Sequence, residues 1–97
     1  MLNVTFVKKK LEDGSWCAKC NDVSSRLEKD GLLSMINNIA IADVTQADSE
    51  GVKLAQQHHM DRAPFFIVEN TETKETEVFD IYFKFKRFIQ RSTKVAA

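Results

Sequence analysis

The feature that most constrains this chain is a pair of cysteines three positions apart, in the segment Trp16-Cys17-Ala18-Lys19-Cys20. A short apolar run that predicts a strand precedes the pair, and a segment with helical spacing follows it. A thiol in the first turn of a helix faces unpaired backbone N–H groups and the positive end of the helix dipole. Its pKa therefore falls below the free value of about 8.5. The pattern predicts that Cys17 attacks and that Cys20 resolves.

A Cys-x-x-Cys pair also occurs in structural zinc sites and as a structural disulfide. A structural zinc site needs four ligands, and the other soft ligands here are the adjacent His58 and His59. Adjacent side chains on a helix point about 100° apart, which makes it awkward for both to bind one ion. A disulfide that closes so short a loop stabilises little. The residues therefore favour redox-active thiols, with a metal site as the alternative.

Length and composition bound the class of protein. At 97 residues the chain is long enough for one core, and we expect a single domain spanning 1–97. Its 14 basic and 14 acidic side chains give a net charge of zero, which argues against a nucleic-acid partner. No apolar run has the length of a membrane span, and the signal-peptide pattern is absent. We therefore expect a cytoplasmic monomer without a membrane partner. In that compartment, two cysteines indicate catalytic or sensing thiols.

Hydrophobic periodicity predicts a strand and then a helix in the first third of the chain. Residues 2–7 alternate and are rich in β-branched and aromatic side chains, as in a strand. Residues 8–10 are three lysines, which we interpret as a solvated strand end rather than as a positive patch beside Cys17. The helix begins at Cys17, and Gly31 ends it because a left-handed residue is favoured after a helix C-terminus.

The rest of the chain predicts two more helices and three more strands. The short apolar run at 38–44 predicts a strand covered by helices on its faces, parallel to the first strand through a right-handed crossover. The terminal helix is amphipathic. We place Ile81 on its buried face and interpret its basic side as solvated rather than as a docking surface. In chain order, the other predicted elements are a helix from the caps near Ser49 to about His59, a strand that follows Pro64, and a return strand at 75–81.

The order β-α-β-α-β-β-α, with Cys-x-x-Cys at the first helix start and Ala63-Pro64 before the third strand, resembles the thioredoxin superfamily. The short form of the chain is most similar to glutaredoxin. The resemblance implies an α/β fold in which helices flank a four-stranded mixed sheet. It also implies a cis peptide bond between Ala63 and Pro64. The residues expected to form the substrate approach are Trp16, Lys19, Arg62, Ala63 and Pro64.

The sequence departs from the glutaredoxin pattern in two places. Glutaredoxins seat glutathione with a Gly-Gly pair and an acidic residue before the last helix, whereas residues 78–84 contain no glycine. Side chains there would obstruct a close backbone approach. Inside the motif, Ala18-Lys19 replaces the usual proline. We expect the Lys19 cation to favour the Cys17 thiolate further.

These observations lead to one main hypothesis and two alternatives. The main hypothesis is a small thiol–disulfide oxidoreductase or electron carrier of cell redox homeostasis, with Cys17 and Cys20 as catalytic residues. Its substrate would be a disulfide-bearing protein or a small thiol, and a reductase or glutathione would return electrons. No bound cofactor or metal is expected. The alternatives are an iron–sulfur or other metal-binding glutaredoxin-like protein, and a non-catalytic adaptor whose last helix docks a partner.

Overall fold

The computed structural model describes residues 2–94. The elements follow the predicted order. They are β1 (Leu2–Lys10), α1 (Ala18–Lys29), a short 3₁₀ turn (Leu33–Met35), β2 (Asn38–Asp43), α2 (Glu50–Gln57), β3 (Phe65–Asn70), β4 (Thr76–Phe79) and α3 (Tyr82–Lys94).

The four strands form one mixed sheet in the order β2-β1-β3-β4. β1 and β2 run parallel, with Thr5 opposite Asn38, as the predicted crossover requires. β1 pairs antiparallel with β3, with Val7 opposite Phe65, and β3 pairs antiparallel with β4. The predicted α/β class with a four-stranded mixed sheet is therefore confirmed.

One face of the sheet packs against α1 and α3 through aromatic rings. The Phe66 ring stacks between Phe6 and Phe85, with centroid distances of 4.8 Å and 3.8 Å. Val23 and Leu27 of α1 are buried in the same cluster. Burying large apolar side chains is the main favourable term in folding, so this face supplies much of the stability.

The other face of the sheet packs against α2. Its buried residues are Val7, Ala40, Phe65 and Ile67. Leu54 is among the partly buried side chains of α2 that cover them. The helices therefore lie on both sides of the two central strands.

α1 begins and ends where the sequence predicts. Cys17 is its N-cap, and Gly31 follows its C-cap with a φ of 71°. The Gly31 N–H donates to the Glu28 carbonyl, and the Leu32 N–H donates to the Leu27 carbonyl. These bonds satisfy carbonyls at the end of α1. They require a positive φ at position 31, which glycine adopts without strain.

Two strand predictions are wrong in ways that matter for the site and the surface. β1 does not end at Val7 but continues through Lys10, because its pairing with β2 extends to Lys10 opposite Asp43. β2 is an edge strand, and the helices leave part of one face uncovered. Ile39 and Ile41 are 55% and 39% exposed, contrary to the expectation that helices cover both faces.

Three further boundaries differ from the predicted ones. α2 ends at Gln57, and His59 already has a φ of 56°. β4 spans only Thr76–Phe79. Ile81 precedes α3 and is 48% exposed, so it does not belong to the buried face of that helix. Within residues 2–94, no helix combines the length and the apolar character that crossing a bilayer requires.

The close approach of α2 to β2 depends on Gly51. A Cβ at this buried position would overlap the backbone of Ile41 and Ala42, with 2.6 Å to the Ala42 Cα. Glycine is therefore required by packing rather than by its own backbone angles.

We predict that Gly51→Ala lowers the free energy of unfolding by about 1–3 kcal/mol, because β2 and α2 must move apart. Helix propensity alone would give the opposite sign, a gain of about 0.8–1 kcal/mol. Chemical denaturation measures the difference from the midpoint at constant slope. Lys53→Ala, at an exposed position on the same helix, is the control and should stay within about 0.5 kcal/mol of the parent. An unchanged or higher midpoint for Gly51→Ala would contradict the packing.

Candidate active site

The Cys-x-x-Cys segment returns to the end of β1 through a tight turn. The Leu11 N–H donates to the Ser15 carbonyl at 2.8 Å, and Gly14 adopts a φ of 85° that glycine tolerates. Trp16 then bridges to Lys10 in antiparallel fashion. The turn therefore places the start of α1 beside the last residues of β1.

The backbone of Lys9 contacts both cysteines. Its carbonyl accepts from the Cys17 N–H at 3.1 Å, and its N–H donates to the Cys20 Sγ at 3.3 Å. This is possible because β1 continues past Val7, contrary to the prediction. The strand extension thus forms one wall of the site.

The two thiols differ in exposure and lie within hydrogen-bond distance. The Cys17 Sγ caps α1 by accepting from the Cys20 N–H at 3.3 Å, and Cys17 is partly exposed. Cys20 lies on the buried stripe of α1 and is 0% exposed. The two Sγ atoms are 3.1 Å apart. This is the division between an accessible and a buried sulfur that the sequence predicts.

The pKa of the Cys17 thiol is lowered from its ordinary value. Partial burial on its own would raise this pKa, but hydrogen bonds from the Cys20 side chain and from the backbone N–H groups of Cys20 and Lys19 lower it. The positive charge of Lys9 acts in the same direction. Cys17 therefore supplies a thiolate more readily than a free cysteine does, in the predicted direction.

The pKa of the Cys20 thiol is raised to about 11. Burial is the largest cause, and the hydrogen bond and negative charge of Cys17 also raise this pKa. The Lys9 N–H and the Lys8 charge oppose the shift. Cys20 therefore keeps its proton while Cys17 is a thiolate, and it donates that proton as a hydrogen bond.

The cation that lowers the pKa of Cys17 is Lys9 rather than Lys19. The sequence predicts this effect for Lys19, whose contribution comes instead from its backbone N–H. Residues 8–10 are the half-buried last residues of β1, and the charge of Lys9 also acts on Cys17, which supports the alternative interpretation of a positive patch beside that cysteine. The Lys8 Nζ lies 4.3 Å from the Trp16 ring centroid, a cation–π contact that holds the indole beside the cysteines.

Ala63 and Pro64 lie at the same end of the sheet. Their peptide bond is cis, as the resemblance implies, and Pro64 is buried. Because Val7 pairs with Phe65 in antiparallel register, the residues before Phe65 continue alongside the end of β1. The Ala63–Pro64 segment therefore lies beside the end of β1, where the Lys9 backbone hydrogen-bonds to both cysteines.

The remaining predicted site residues lie on two different depressions. Lys19 and Pro64 line a cleft of about 800 Å³ between α1 and the start of α3. Arg62 and Ala63 line a smaller depression of about 240 Å³ on the α2 side. Arg62 is exposed, with its Nε 3.8 Å from the Asp61 carboxylate. The structure thus separates Arg62 from the larger cleft.

A polar cluster in the larger cleft was not predicted. The Tyr82 hydroxyl donates to the Asp30 carboxylate at 2.7 Å, and the Lys86 Nζ lies 3.2 Å from the same oxygen. Burial and the neighbouring carboxylate raise the pKa of Tyr82. The cluster joins the start of α3 to the end of α1. Its residues are more than 50 positions apart, so only the spacing of Tyr82 and Lys86 on one helix face was visible in the sequence.

Within the part of the chain that the structure describes, no group of three or more His, Cys, Asp or Glu side chains could hold a metal ion. His58 and His59 lie at the far end of α2 in the chain and do not form such a group with the cysteine pair.

The sheet order and the cysteine pair at the start of α1 define a thioredoxin-like fold. Among solved structures, the chain is similar to a thioredoxin from Thermus thermophilus, with a TM-score of 0.55 and 18% sequence identity. The similarity covers 94% of this chain and 74% of that thioredoxin. No family model and no curated protein matches the chain. The thioredoxin-like fold expected from the sequence is therefore confirmed, and the chemistry rests on the site itself.

We predict that Lys9→Gln raises the pKa of Cys17, because it removes the positive charge that favours the thiolate. The pH dependence of Cys17 alkylation by iodoacetamide measures this pKa. In the parent the rate rises with pH through a pKa below that of a free cysteine, and in Lys9→Gln the rise moves to higher pH. Lys19→Gln removes an equal charge two residues after Cys17 and should leave the profile in place. A shift in Lys19→Gln without one in Lys9→Gln would reverse the assignment.

Proposed function

We propose that this protein is a small dithiol–disulfide oxidoreductase that uses the Cys17–Cys20 pair. The observation that carries the proposal is the pairing of two sulfurs 3.1 Å apart whose thiol pKa values shift in opposite directions. One sulfur is accessible and ionises readily, and the other is buried and protonated. An accessible thiolate is the attacking species in thiol–disulfide exchange, and a second thiol within reach can resolve the mixed disulfide that forms.

In the first step the Cys17 thiolate attacks one sulfur of a substrate disulfide. A bond forms between Cys17 and that sulfur, the substrate S–S bond breaks, and the second substrate sulfur leaves as a thiolate that takes a proton from water. The product is a mixed disulfide between protein and substrate. The lowered pKa of Cys17 raises the fraction of attacking thiolate.

In the second step Cys20 resolves the mixed disulfide. Once Cys17 is bonded to substrate, it no longer carries the negative charge that raises the pKa of Cys20. Cys20 then loses its proton to water and attacks the Cys17 sulfur. The substrate sulfur that was bonded to Cys17 leaves as a thiolate and takes a proton from water. The protein is left with a Cys17–Cys20 disulfide. Two electrons have passed to the substrate.

The surroundings of the pair support a role in holding a disulfide substrate. We propose that Trp16 and Lys19 flank the approach and that Ala63 and Pro64 shape it, with Arg62 at its outer edge. The substrate would be a disulfide-bearing protein or a small thiol. A reductase or glutathione would return two electrons to the Cys17–Cys20 disulfide. We place this activity in a monomer working in the cytoplasm.

We predict that Cys17→Ser abolishes disulfide reduction, whereas Cys20→Ser still attacks and accumulates mixed disulfides. The reason is that only Cys17 combines exposure with a lowered thiol pKa. Turnover of insulin disulfides with dithiothreitol as donor measures the first effect, and non-reducing mass analysis of the adduct measures the second. Attack by Cys17→Ser, with loss of attack in Cys20→Ser, would reverse the two roles.

We predict a reversible two-electron transition of the Cys17–Cys20 couple between about −120 and −300 mV, a window that includes the values of about −120 to −270 mV found for proteins of this fold. Titration in glutathione redox buffers measures it, with the fluorescence of Trp16, the single tryptophan, as reporter. The double variant Cys17→Ser/Cys20→Ser is the control and should show no transition. A glutathione adduct at Cys17 without an internal disulfide would refute the dithiol mechanism.

A further inference from the structure

The cleft between α1 and α3 has an apolar mouth. The cleft has a volume of about 800 Å³ and extends from Pro64 to the start of α3. Ile81 and Phe83 line it and are 48% and 62% exposed. Large apolar side chains exposed together beside a cleft are typical of binding surfaces.

The helix that borders this mouth is strongly basic. Between residues 82 and 91, α3 carries four cations and no acidic residue. Lys86 pairs with Asp30, but Lys84, Arg87 and Arg91 form no ion pair with the residues that the structure describes. The Arg87 guanidinium lies 5.8 Å from the Phe83 ring centroid. Positive charge and apolar surface are therefore adjacent.

The acidic residues of the cleft are largely compensated from within. Asp22 pairs with Arg26 at 3.1 Å. The pKa of the Asp30 carboxyl is lowered, first by the hydrogen bond from Tyr82, then by Lys86 and by the charge of Lys29. Asp80 is the third carboxylate in the lining, and Lys19 is a further cation near the active site. The surface formed by the cleft and α3 is therefore positive.

The compensating negative charge of the protein lies elsewhere. The hairpin of β3 and β4 carries four glutamates in residues 69–77, and its one basic residue is Lys74. The net charge of zero is thus the sum of regions of opposite charge, which include a positive α1–α3 face and a negative hairpin. A partner that approaches the cysteines along the cleft therefore passes the basic helix α3, whose Lys86 is part of the lining.

We propose that the α1–α3 cleft docks an acidic segment of a disulfide-bearing protein substrate, with a large apolar side chain of that segment against Ile81 and Phe83. This inference rests on the proposed function, since it names the substrate class of the same site. Charge complementarity selects an acidic partner, and the apolar mouth selects one larger than glutathione, which has no large apolar side chain. From the sequence alone we favoured a merely solvated basic side for α3, and this proposal takes up the alternative of a docking surface.

The test uses short peptides that carry one cysteine as a mixed disulfide with thionitrobenzoate and a leucine beside it. The neighbouring positions are glutamate, glutamine or lysine in three otherwise identical peptides. We expect kcat/KM to be roughly tenfold higher for the glutamate peptide than for the lysine peptide at low ionic strength. The preference should shrink as salt is added.

Two variants and one control locate this preference. Arg87→Glu should reduce the ratio between the glutamate and lysine peptides severalfold, and Phe83→Ser should raise KM for the leucine-containing glutamate peptide. Lys53→Glu makes a matching change from a cation to an anion on α2 and should leave the ratio as in the parent. Equal loss in Lys53→Glu and Arg87→Glu would show an effect of overall charge and overturn the docking site.

Binding is measured separately from chemistry with a glutamate peptide in which serine replaces cysteine. Amide NMR shifts should change in α1 and around 80–87, and shifts confined elsewhere would overturn the proposal. Equal rates for the three peptides would overturn the docking site while leaving the oxidoreductase intact. Peptide binding in the cleft without reduction of any disulfide would refute the proposed function alone. A higher kcat/KM for glutathione disulfide than for the glutamate peptide, with the same dependence on Arg87, would assign the cleft to glutathione.

Discussion

The site depends on the pairing of one strand residue with both cysteines. The carbonyl of Lys9 holds the Cys17 N–H, and the N–H of Lys9 holds the Cys20 sulfur. Both contacts need β1 to continue through Lys10, which its parallel pairing with β2 secures. The position of the sulfurs is therefore set by the sheet, whose backbone hydrogen bonds are among the least mobile parts of a fold.

The difference between the two thiols follows from where α1 begins. Cys17 is the N-cap, so its sulfur faces free N–H groups, while Cys20 one turn later points into the core. The same helix therefore stabilises negative charge on one sulfur and disfavours it on the other. Among residues 2–91, no charged side chain is buried, and the asymmetry arises from the burial of Cys20, from backbone donors and from two nearby lysines.

The fold and the core of the site were predictable from sequence because their signals are local. Strand alternation, the helix stop at Gly31 and the cysteine spacing each lie within a few residues. The role of Lys9 was missed because strand length depends on pairing with a segment more than 30 positions away. The exposure of Ile39 was missed because it depends on the strand order, which puts β2 at an edge of the sheet. The residues of β2 alone do not determine that order. The contact between Tyr82 and Asp30 is likewise a product of tertiary packing.

The opposite charges of α3 and the β3–β4 hairpin give this electrically neutral molecule a dipole. At physiological ionic strength the field of exposed charges fades within about 8 Å. A neutral protein therefore neither gathers nor repels charged molecules from a distance, and the rate of encounter is that of free diffusion. Within the last few ångströms the dipole acts as a torque that turns an arriving molecule relative to the cysteines. Charge separation without net charge thus governs orientation rather than the frequency of collision.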